Sequence, residues 1–112
     1  MKRIKCKLTA ESQERLAQLF ERFENEPAHT LHNELTNAYI LRLALFNAVQ
    51  TGLDITEKPA YHFETSVLAP AWLLAGVKLI AAAFNLTETE AQSRLINAGL
   101  ELLAREEELW SS

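Results

Sequence analysis

The stretch Lys2-Arg3-Ile4-Lys5-Cys6-Lys7-Leu8 alternates strictly from Arg3 onward. Arg3, Lys5 and Lys7 fall on one side of an extended segment and Ile4, Cys6 and Leu8 on the other, which is the period of a half-buried strand. One face is cationic and the other apolar. A lone strand leaves its backbone donors and acceptors unpaired, so this one needs a partner strand, within the chain or across a dimer. Four of the 11 Lys and Arg lie in residues 2–7, leaving seven against 15 Asp and Glu over the rest of a chain of net charge −4. The basic charge is therefore local. Such a chain does not coat nucleic acid indiscriminately, yet a concentrated basic ribbon meets phosphates well. The competing reading is a solvated edge strand that lysines defend against aggregation.

Thr9 follows at an N-cap position, with Glu11 in the first turn of a predicted helix. Leu16, Leu19, Phe20 and Phe23 give that helix one apolar stripe as far as about Glu24. Asn25-Glu26-Pro27 breaks the pattern. A second helix is expected from about Thr30 to Gly52, through Leu31, Leu35, Ala38, Tyr39, Leu45, Phe46 and Val49, and its broad apolar arc predicts packing on more than one side. Residues 53–59 read as a connection.

The plan then repeats. Tyr61, Phe63, Thr65 and Val67 alternate with His62, Glu64 and Ser66 as a second strand. Pro70 suits the first turn of a third helix over residues 71–84. Lys78 is its only charge, so it is expected to be the most buried helix. Asn85 ends it, and Thr87 with Glu90 forms a capping box for a fourth helix carrying Leu95, Ala98, Gly99, Leu102 and Leu103 before an acidic tail. The order strand–helix–helix thus occurs twice, over residues 3–52 and 61–110 of a single domain. The fold class read from this is mostly α, a tandem ribbon–helix–helix-like repeat of four helices with a short antiparallel two-stranded ribbon. A ribbon of that kind reads the major groove, and helix N-termini beside it touch phosphate. The alternative is a plain four-helix bundle with short extended connections.

Arg3-Ile4-Lys5, the Leu41-Arg42-Leu43-Ala44-Leu45 helix, residues 63–68 and above all Leu95-Ile96-Asn97-Ala98-Gly99-Leu100 form a spaced apolar and Gly pattern. In this the chain resembles the DndE proteins of DNA phosphorothioate-modification systems. The resemblance implies an oligomeric, DNA-associated, ribbon–helix–helix-like fold working beside sulfur-transfer enzymes, with Arg3, Lys5 and Lys7 as the carried-over basic positions. The chain departs from that family at Glu24-Asn25-Glu26-Pro27, where a Gly-containing turn is replaced, and at the acidic Thr87-Glu88-Thr89-Glu90.

Other chemistries find little footing. At 112 residues and 48 % hydrophobic content the chain is long enough for one core and short for an independent enzyme. It has no Gly-rich phosphate loop, no nucleophile elbow and no Ser/His/Asp order, so no catalytic residue is assigned. His29 and His32 beside Glu34 lack the Cys pair or nearby third histidine that a zinc site calls for, and neither a metal nor a cofactor is expected. Neither a secretory signal nor a run of about 18 uncharged apolar residues is present. The single Cys6, read as a small core residue, suits a reducing cytoplasm. Two readings follow. In one the protein is a small DNA-binding accessory or regulatory protein, as in a DNA sulfur-modification system, that contacts double-stranded DNA through Lys2, Arg3, Lys5 and Lys7. In the other it is a helical protein-interaction or oligomerisation module that binds no DNA. In either case Tyr39, Phe46, Leu102 and Leu109 offer more apolar surface than four short helices cover, so a homo-oligomer is expected.

Overall fold

The computed structural model of the protein describes residues 1–24 and 36–111, the last five as backbone only. Strand β1 (Lys2–Thr9) pairs antiparallel with β2 (Tyr61–Ala69), in a register that sets Arg3 opposite Leu68, Lys5 opposite Ser66 and Lys7 opposite Glu64. Both expected strands therefore find each other within the chain, and the extended segments are a sheet rather than connections. Ile4, Cys6, Leu8 and Val67 are buried on the inner face, as the alternation requires. The register slips between Leu8 and Thr9, where the ribbon ends.

Four helices lie among the described residues, and three of them pack on the strands. Helix α1 (Ala10–Glu24) starts where expected, the Thr9 hydroxyl accepting from the Ser12 N–H at 3.0 Å. Its stripe of Leu16, Leu19 and Phe23 is buried, with Phe20 packed at the margin. Helix α2 (Asn37–Thr51) is capped by Thr36, whose hydroxyl accepts from the Tyr39 N–H, and stops at Gly52 in the left-handed conformation (φ 63°). The break at Asn25-Glu26-Pro27, the expected start near Thr30, and Leu31 and Leu35 lie outside the described residues. Buried Ile40, Leu41, Ala44, Leu45 and Ala48, flanked by half-buried Tyr39, Leu43, Phe46 and Val49, give α2 the broad packing predicted for it.

Helix α3 (Ala71–Ala83) corrects an expectation. Only Leu73, Val77 and Ala81 are buried, while Trp72 is 61 % and Leu79 75 % exposed. A helix apolar all round buries only the side that has a neighbour, and α3 packs from the rim against α2 and α4. Pro70 stands one residue before the helix, extended, its carbonyl accepting from the Leu73 and Leu74 N–H groups. At the far end Asn85 takes φ 57°, and the Asn85 and Leu86 N–H groups return to the Ala82 and Ala81 carbonyls, closing the helix with a left-handed asparagine.

The most deeply set helix is α4 (Glu88–Ser111), which buries Ala91, Leu95, Ile96, Leu100 and Leu103 together with polar Gln92, Ser93 and Asn97. It approaches α2 closely: a Cβ placed on Gly99 would stand 2.1 Å from the Ala44 carbonyl oxygen, so any larger residue there forces the two helices apart. The two halves are interleaved. Helix α4 of the second half packs on β1 of the first, and α2 of the first half packs on β2 of the second.

Candidate nucleic-acid interface

With Ile4, Cys6 and Leu8 turned inward, Arg3, Lys5 and Lys7 are exposed together on the outer face of β1. Alternate residues on a strand are about 6.6 Å apart, so the three cations span about 13 Å. On the same face β2 contributes Leu68, Ser66 and Glu64. Arg3 leans across the ribbon, its Nη1 donating to the Ser66 hydroxyl at 3.1 Å, and Lys5 stands opposite a neutral serine. Lys7 alone faces an acid, Glu64. The fourth basic residue assigned to this surface, Lys2, does not share it. By strand parity Lys2 lies on the Ile4 side and lines a cleft with Leu74, Lys78 and Glu88.

The Lys7 end of the ribbon carries a further cation that the sequence reading did not connect with it. Lys58 lines a cleft of about 440 Å³ with Lys7, His62 and Glu64. Residues 57–60 are a connection, and only the register with β1 brings Lys58 near Lys7, so no local pattern could have pointed to it.

Helix α4 secures the ribbon from its free edge. The Lys7 N–H donates to the Ser93 hydroxyl (2.9 Å) and the Thr9 N–H to Asn97 Oδ1 (3.0 Å), while Asn97 Nδ2 donates to the Lys7 carbonyl (2.8 Å) and the Ser93 carbonyl (2.6 Å). These bonds occupy the backbone groups that an intruding strand would need over Lys7–Thr9. Beneath, burial pushes the Cys6 thiol up to about 12, with the Glu64 carboxylate adding to the shift, so it is no nucleophile.

The helix ends beside the ribbon differ. The first turn of α2 holds no acid. That of α4 holds Glu88 and Glu90, which oppose a phosphate. Thr87 caps α4, its hydroxyl accepting from the Glu90 N–H at 3.2 Å, but the Glu90 carboxylate does not complete the expected box by bonding back. It accepts instead from the Tyr61 hydroxyl at 2.7 Å, and burial together with that bond holds the Tyr61 hydroxyl well above its ordinary range. Arg94 lies 3.8 Å from the same carboxylate and donates to the Ile55 and Thr56 carbonyls at 2.9 and 3.1 Å, which ties the 53–60 connection to α4.

His29, His32 and Glu34 lie outside the described residues, and among those described no three His, Cys, Asp or Glu gather as metal ligands. Among the described residues no single helix is long and apolar enough to cross a membrane. No protein-family model, curated protein or solved structure matches this chain.

Proposed function

We propose that the protein binds double-stranded DNA through the outer face of the β1–β2 ribbon, acting in the cytoplasm as a small accessory or regulatory protein. In this reading the two strand–helix–helix halves are a ribbon–helix–helix arrangement within one chain. The observation that carries the reading is the row of Arg3, Lys5 and Lys7, exposed on one face of a ribbon whose other face is fixed in the core. A two-stranded ribbon is narrow enough to enter the major groove, and three cations in line neutralise phosphates along its edge. The rival account of the lysines, protection of an open sheet edge, loses force over Lys7–Thr9, because α4 already occupies that edge. The pattern shared with the DndE proteins gives the role a context, an accessory subunit of a DNA sulfur-modification system.

The test is binding to duplex DNA at about 50 mM salt, where the electrostatic contribution is strong. Replacing Arg3, Lys5 and Lys7 with Glu abolishes binding and leaves thermal stability nearly unchanged, since exposed charges add little to folding. Arg105→Glu, which breaks an exposed pair with Glu101 on α4, is the control and leaves binding intact. Arg94 is no control, because it holds the connection before β2. A parent protein that binds no duplex, or a triple variant that binds as tightly as the parent, overturns the proposal in favour of an interaction module.

A further inference from the structure

Helix α3 has a second face that none of the described residues covers. Trp72, Ala75, Leu79 and Ala82 are all exposed, spaced by three, four and three residues, the repeat that keeps side chains on one stripe of a helix facing a partner helix. Ala71 and Ala83 extend the stripe at its two ends. Trp72 is not adrift in solvent, for its ring meets Phe46 edge to face at 5.8 Å, and it closes one side of a groove of about 290 Å³ lined also by Tyr39, Leu43 and Pro70.

We propose that this stripe is where two copies of the chain associate, α3 against α3, antiparallel about a two-fold axis. The order of large and small residues carries the inference. In an antiparallel pair centred on the level of Val77, Leu79 of one copy stands opposite Ala75 of the other, and Trp72 opposite Ala82. Each large side chain meets a small one, and the two-fold repeats the match in the other direction, as a self-complementary interface requires. A foreign helix would need no such internal symmetry. Lys78, the only ionisable residue on α3, lies at the edge of the stripe two residues from its counterpart in the second copy, and its Nζ is 3.9 Å from Glu88 of its own chain, which offsets the repulsion between the two ammonium groups.

The size of the stripe sets the strength. A helix of 13 residues is about 20 Å long, and the area it offers is well below the roughly 800 Å² per partner of a standard interface. The dimer is therefore reversible. It involves none of Arg3, Lys5 or Lys7 and stands or falls independently of DNA binding.

Sedimentation of the full chain from about 1 to 300 μM tests it. The parent passes from monomer to dimer mass across that range, and Leu79→Glu or Ala75→Glu keeps it monomeric with an unchanged circular dichroism spectrum and denaturation midpoint. The geometry is read separately by oxidising an equimolar mixture of Ala75→Cys and Leu79→Cys, the native Cys6 being buried. Cross-linking between unlike variants is expected. A parent that remains monomeric at 300 μM, a dimer indifferent to both glutamates, or cross-linking chiefly of each variant with itself overturns the proposal.

Discussion

Asn97 stands between α4 and β1 with both ends of its amide in use, accepting from Thr9 and donating to Lys7 and Ser93. Its removal leaves buried backbone groups without partners, so Asn97→Ala is expected to cost about 1–3 kcal/mol in chemical denaturation. Two positions on, the demand is for emptiness. Gly99→Ala drives a methyl into the Ala44 carbonyl, and since backbone rather than a flexible side chain stands in the way, α2 and α4 must move apart. Overpacking of that kind costs about 1–3 kcal/mol or more, whereas the same change at an open helical site stabilises by about 0.5–1 kcal/mol. Both residues belong to a stretch whose spacing could be read in the sequence, but their roles could not, because the groups they meet lie about 90 and 55 positions away in the chain. Cys6 was legible, since alternation alone turns it inward. Its thiol is raised in the folded state from 9.0 to about 12, so folding favours the neutral form. The stability this represents is present below pH 9 and is lost as the pH rises towards 12. Tyr61 shifts in the same direction, so the Cys6 share is read as the difference between the alkaline unfolding curves of the parent and of Cys6→Ala. Native protein at pH 8 is expected to resist a thiol reagent that labels it at once in denaturant.

The elements themselves were written plainly. The α1 stripe, the Thr9 cap, the Gly52 stop, the Thr87 start of α4 and the pairing of 3–8 with 62–68 all depend on local chemistry or on period, and the structure has each of them. Leu16→Ala on the α1 stripe should therefore cost about 2–5 kcal/mol, and a loss below about 0.5 kcal/mol would mean the stripe is not core. Burial of whole elements was harder to read. Helix α3 has the most apolar sequence and was expected at the centre, yet α4, studded with Glu and Arg, takes that place. Composition measures how much apolar surface a helix has, whereas burial depends on how many neighbours reach it. Gln92, Ser93 and Asn97 look like surface residues until the free edge of β1 is brought against them. The same blindness applies to Arg94, which looks like one more cation on an acidic helix and is in fact the tie that holds Ile55 and Thr56. Arg94→Ala should lower the denaturation midpoint by the equivalent of about 1–3 kcal/mol, where Arg105→Ala changes it by less than about 0.5.

At the scale of the whole molecule the charge is divided between an acidic helical body and a short basic ribbon, and this division fixes how binding should respond to salt. A general attraction between the body and DNA is ruled out by the sign of the net charge, −4. Whatever binding occurs must come from the few cations that reach phosphate, so the dependence on salt counts them. With Arg3, Lys5 and Lys7 engaged, the logarithm of the affinity falls against the logarithm of the salt concentration with a slope of about −2.7, a loss of about 40-fold between 50 and 200 mM. Each single Glu replacement reduces the slope by about one, and engagement of Lys58 at the Lys7 end would steepen it by the same amount. Glu64 supplies a test of opposite sign. It stands opposite Lys7 on the outer face, where its carboxylate competes with phosphate for that ammonium. Glu64→Gln keeps the size of the side chain and removes the charge, so it should tighten DNA binding several-fold at 50 mM salt, with the gain fading by 200 mM as screening rises. A protein that used its lysines only to stay soluble would show no gain at either concentration. A tighter complex on loss of one acid, together with a weaker one on loss of each facing cation, would locate the phosphates on this face of the ribbon.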